Sequence, residues 1–117
     1  MLQITPQHKV YLAIEAVDFR RGIDGLAGMC ESLFKKAPNS GAVFLFTNKR
    51  KNAVKVLVYD GIGYWLCLKR LSQGKLQWWP KSSDEYTSID VTSLQIMLYQ
   101  GNPEYAKITP PWRDVSS

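Results

Sequence analysis

Three short apolar runs stand close together in the middle of the chain: AVFLFT at 42 to 47, AVKVLVY at 53 to 59 and YWLCLKR at 64 to 70. They are rich in β-branched and aromatic residues and are bounded by turn formers, Asn48-Lys49-Arg50-Lys51-Asn52 on one side and Asp60-Gly61 on the other. Each run is the length of a strand, and the gaps between them are too short for a parallel crossover, so the runs predict an antiparallel meander with a basic hairpin tip. Gln73-Gly74 turns the chain again into a shorter fourth run, Lys75 to Trp79, which Pro80 ends.

The flanks supply helices and a further strand. KVYLAIEA at 9 to 16 suits a first strand, and Asp18 then offers an N-cap. From Phe19 to Lys36 the apolar positions Phe19, Ile23, Leu26, Ala27, Cys30, Leu33 and Phe34 recur at steps of three and four, the pattern of an amphipathic helix. Gly22, Gly25 and Gly28 interrupt that pattern at about 1 kcal/mol each against Ala, unless their spacing lets another backbone approach closely. Lys35 and Lys36 would complement the helix dipole in the last turn, before Ala-Pro-Asn-Ser-Gly stops the helix. Lys81 to Tyr86 reads as polar linker. Asp90 caps a short helix from Val91 to Gln100, which Gly101-Asn102-Pro103 ends ahead of a loosely ordered tail.

The expected fold is therefore a single α+β domain over residues 1 to 101, with residues 102 to 117 as tail. An antiparallel sheet of four to five strands would be packed by one long helix and accompanied by a short C-terminal helix. A chain of 117 residues, 45% apolar, has material for one core and not for two.

Several function classes lose support on composition. No stretch approaches the roughly 20 apolar residues of a membrane crossing, and MLQITPQHK lacks the apolar segment of a signal peptide, so the expected location is the cytoplasm with no membrane partner. Cys30 and Cys67 form no CxxC pair and read as buried thiols. His8, the sole histidine, has no acid or cysteine at ligand or triad spacing, so no metal or cofactor is expected. Asp18 and Asp60 are explained by a cap and a turn. The reading is of a protein that is not an enzyme.

Charge is the more informative quantity. Lys and Arg outnumber Asp and Glu by 5 to 4 in residues 1 to 46 and by 8 to 1 in residues 47 to 81, and are outnumbered 2 to 5 in residues 82 to 117. The net +5 is thus concentrated in the middle third, where it would attract polyanions. Lys49, Arg50, Lys51, Lys55, Lys69, Arg70 and Lys75, with Trp78 and Trp79, form the candidate nucleic-acid site: cations for phosphates, indoles for unpaired bases. The competing reading is a solvated hairpin tip with core tryptophans, and core burial is favoured for Trp65. Arg20 and Arg21 form a second candidate site, for a partner, because their charge opposes the dipole of the helix they open. The alternative there is a local ion pair with Asp18 or Asp24.

Five segments in order carry a resemblance: VYLA at 10 to 13, DFRRGIDGL at 18 to 26, SGAVFLFTNKR at 40 to 50, KVLVYDGIGYWLCLKRL at 55 to 71 and GKLQWWP at 74 to 80. They resemble the small second-frame accessory protein, TnpB, of the insertion-sequence-sixty-six family of bacterial transposons, as distinct from the RNA-guided nuclease that shares that name. The resemblance implies a protein encoded beside a larger transposase of the acidic-triad type and assisting transposition. Where that family often carries a second acid after the Asp-Gly turn, Ile62 stands here, which argues against paired acids holding a metal. Two functions follow as expectations: an accessory factor that binds DNA through the basic hairpin surface, or an interaction module that docks on the transposase without touching DNA.

Overall fold

The computed structural model describes residues 4–99. Along the chain it contains β1 (Val10–Ala13), α1 (Ile23–Phe34), β2 (Val43–Thr47), β3 (Ala53–Tyr59), β4 (Tyr64–Arg70), β5 (Tyr86–Ile89) and α2 (Val91–Leu98). The expected tail from residue 102 and the Gly101-Asn102-Pro103 stop lie outside the described residues.

The meander forms as the sequence predicts, with β3 and β4 at the expected residues and β2 one residue shorter. β2 pairs antiparallel with β3, and β3 with β4. The whole sheet has the order β4-β3-β2-β1-β5 and is mixed rather than purely antiparallel. β1 runs parallel to β2, Val10 beside Val43 and Leu12 beside Leu45, because α1 lies between them in the chain and serves as the crossover that parallel neighbours need.

The fifth strand is not the one expected. Lys75 to Trp79 does not pair along β4; it crosses the end of the sheet as a strap, its Leu76 N–H donating to the Lys51 carbonyl at 2.7 Å. Trp79 explains the departure, since burying its ring carries the chain over to β1, where the indole N–H donates to the Ala13 carbonyl at 3.0 Å. The segment read as linker instead ends in β5, whose Tyr86 to Ile89 pairs antiparallel with β1.

Strand alternation sorts the side chains into two cores. On one face, Phe44, Phe46, Leu57 and Ala13 pack against Leu26, Cys30 and Phe34 of α1, three positions spaced by four. Phe34 is fully buried and its ring lies 5.0 Å from Phe44, 5.8 Å from Phe46 and 5.4 Å from Tyr86. On the other face, Val10, Leu12, Val43, Leu45, Val54, Val56 and Val58 meet Val91, Leu94 and Met97 of α2 together with Trp79. Strand β2 is buried on both sides, which is why its sequence shows no polar alternation. Asp90 caps α2 as expected, accepting from the Ser93 N–H at 2.6 Å.

Helix α1 spans 12 residues instead of the expected 18-residue stretch. Asp18 is not its cap: the helix starts after Gly22, whose position carries no side-chain cap, because residues 18 to 21 form a turn of their own. At the other end Lys35 adopts a left-handed conformation (φ 56°) just past the helix, its backbone N–H donating to the Cys30 carbonyl. Its ammonium still reaches the helix end, at 3.0 Å from the Ser32 carbonyl. No backbone approaches the three glycines; Gly25 instead makes room for the stem of Arg21, which a Cβ would meet at 3.2 Å. Cys67, on the edge strand β4, is exposed, unlike buried Cys30.

Candidate nucleic-acid interface

The hairpin tip is stiffened by its asparagines. The Asn48 side-chain oxygen accepts from the Asn52 backbone N–H at 3.0 Å, and its side-chain amide Nδ2 donates to the Asn52 side-chain Oδ1 at 2.5 Å. Within this frame Lys49 and Arg50 are exposed, and Lys51 adopts φ 57°, a conformation that L-residues other than Asn and Asp rarely take. Arg70, at the end of β4, is exposed beside Ala53, so it adjoins the same tip. Lys75 is exposed on the strap.

The loop carrying Arg20 and Arg21 is tied to this tip. Val17 N–H donates to the Thr47 carbonyl at 2.9 Å, and the Lys55 ammonium donates to the carbonyls of Phe19 at 2.7 Å and Arg21 at 2.9 Å. Ala16 to Phe19 and Asn48 to Arg50 together line an open groove of about 580 Å³. Two sites that the sequence treats separately, the arginine pair and the hairpin, are therefore one surface at one end of the sheet.

Within that surface the charges differ in availability. Arg20 pairs with Asp18 at 2.7 Å, the local ion pair weighed in the sequence, and its guanidinium together with its backbone N–H holds the Asp18 carboxyl down to about 2. The carboxylate raises the Arg20 guanidinium further in turn. Arg21 is exposed. Lys55 is spent on holding the loop and lies over the Phe19 ring at 4.9 Å. Lys69 points away from the tip, donating to the Leu98 carbonyl at the end of α2 and lying 4.9 Å from the Tyr99 ring, where its charge suits the helix dipole.

The tryptophans also divide. Trp79 is 8% exposed and serves the core, with its N–H bonded to Ala13. Trp78 is half-buried on the strap. Trp65 corrects the expectation of core burial: it is 38% exposed on the edge strand β4, and its indole N–H donates to Asp60 at 2.8 Å. That carboxylate also accepts the backbone N–H groups of Ile62 and Gly63, and these bonds hold it below the usual carboxylate range, backbone contributions first. Lys81 lies in the expected linker and outside the candidate set; its signal in the sequence is its place directly after Trp-Trp-Pro, and it lines a second groove with Trp78.

Residues 8 to 106 match the family described as IS66 Orf2 like protein, TnpB_IS66. The chain belongs to that family. Membership in the IS66 Orf2-like family gives it a transposition-related accessory role. Two proteins of Sinorhizobium fredii (strain NBRC 101917 / NGR234) are similar to it: y4jC, 36% identical over 67 residues, which are 57% of either chain, and y4hO, 28% identical over 105 residues, 90% of this chain and 89% of the other. The match thus spans little more than half of y4jC. No solved structure matches the IS66 Orf2-like chain. No helix among its described residues is long and apolar enough to cross a membrane.

Proposed function

We propose that this protein is a non-catalytic accessory factor that acts in the cytoplasm and binds the DNA of its element through phosphate contacts. The observation that carries the reading is the joining of the Arg21 loop to the Lys49-Arg50 tip through Lys55, which gathers exposed cations from two chain segments at one end of the sheet. Cations so placed neutralise phosphates without reading sequence. The non-catalytic part of the reading is supported by the state of Asp18 and Asp60, both of which are occupied by local hydrogen bonds.

A second reading has its own observation. The edge strand β4 and the turn before it expose Ile62 (95%), Leu68 (58%) and Trp65, apolar surface that suits docking on the transposase of the same element. An electrophoretic mobility assay with element-end DNA, beside a pull-down with the cognate transposase, separates the two. Retarded DNA supports the first reading; transposase capture with no retardation supports the second.

A further inference from the structure

The strap that replaces the expected fourth strand creates a second groove on the same end of the sheet. Gly74, at φ 73°, turns the chain off β4, and the bonds from Leu76 to Lys51 and from Trp79 to Ala13 pin the strap at two points. Between them opens a groove of about 710 Å³ lined by Ile14, Lys51, Trp78, Trp79, Pro80 and Lys81. That volume lies within the roughly 300–1,000 Å³ of small-ligand sites. Ile14 and Trp79 are buried and give it an apolar floor, Trp78 is half-buried, and Lys81 is exposed.

An indole and a proline beside two ammonium groups select the ligand chemistry. A purely apolar occupant would leave Lys51 and Lys81 without counter-charge, and a simple anion would leave the rings unused. A nucleotide uses both, base on ring and phosphate on ammonium. In a duplex the base faces are already stacked, so only an unpaired base can offer one. We propose that this groove holds an unpaired nucleotide of a single-stranded nucleic acid, its base against Trp78 and Pro80 and its phosphate near Lys51 and Lys81. The inference rests on the nucleic-acid reading above and adds the strand state that the groove selects.

The test measures fluorescence anisotropy of a labelled oligothymidylate, and of a duplex of equal length at equal salt, with the whole chain. Trp78→Ala should weaken single-strand binding about fivefold or more, as loss of one stacking ring does, and leave duplex binding within about twofold. Trp78→Phe, which keeps a ring and most of the packing, should retain single-strand binding. Lys81→Gln should flatten the single-strand salt slope by about 0.7. Should Trp78→Ala fail to fold, the Phe and Gln variants carry the test. Unchanged single-strand affinity in folded Trp78→Ala, an equal loss on both strand forms, or an unchanged slope in Lys81→Gln would overturn the proposal. Binding of duplex without oligothymidylate overturns the groove and leaves the broader reading standing; binding of neither overturns both.

Discussion

The ammonium of Lys55, on β3, donates to the carbonyl of Phe19 at 2.7 Å across 36 positions of sequence. The bond converts a residue that reads as a phosphate ligand into the clamp of the arginine loop. Lys55→Met keeps the stem and removes the charged donor from two carbonyls, so it should destabilise the fold by about 1.5–3 kcal/mol, the range for a hydrogen bond to a charged group. Urea unfolding measures that. The salt slope of DNA binding should stay as in the wild type, since Lys55 is engaged within the protein; a flatter slope would make it a direct phosphate ligand.

The Asp18–Arg20 pair predicts a titration. Its folded-state value is depressed from 3.8 to about 2, so whatever the pair contributes is present above pH 4 and is lost as pH falls through about 2. Carboxyl chemical shifts followed by NMR should place the Asp18 midpoint near 2, and Arg20→Ala should return it toward 3.8. A midpoint near 4 in the wild type would mean that the pair does not persist in solution.

Lys51 holds a left-handed backbone at the tip of the basic hairpin. That conformation costs a residue with a Cβ about 1–2 kcal/mol, and glycine gives back about 0.5–1 kcal/mol in lost chain entropy. Lys51→Gly should therefore stabilise the fold by about 0.5–1 kcal/mol while weakening DNA binding. Thermal unfolding and a binding titration of one variant read both effects; a destabilised Lys51→Gly would contradict the assigned backbone.

The two thiols should behave oppositely. Burial pushes the Cys30 thiol up to about 12, leaving almost no thiolate at neutral pH, while Cys67 is exposed on β4. Iodoacetamide at pH 8 followed by mass spectrometry should modify Cys67 and spare Cys30 in the folded protein.

How far the sequence could be read depends on whether a segment's structure is set locally. β3, β4 and the Asp90 cap were legible because β-branched and aromatic runs, an Asp-Gly turn and a cap three residues before Ser93 are local signals. The strap and β5 were not, because Trp79 sends the chain to a partner 66 residues away and Tyr86 to Ile89 becomes a strand only through pairing with β1. The short α1 was misread for the same reason: the carbonyls of Phe19 and Arg21 are taken by Lys55, from another strand. The basic tip was legible as a charge run, but its union with the arginine loop was not, since Val17–Thr47 and Lys55 supply it at long range.

The most direct test of the account is the salt dependence of binding to element-end duplex DNA. With about four side chains among Arg21, Lys49, Arg50, Lys51 and Arg70 on phosphates, log K should fall against log salt with a slope near −3.6, at roughly −0.9 per contact. Replacing Lys49, Arg50 and Lys51 by Ala together should leave one or two of these contacts, bring the slope to between about −0.9 and −1.8 and weaken binding alike on unrelated sequences. Unchanged affinity and an unchanged slope in the triple variant would contradict the account and favour docking on the transposase.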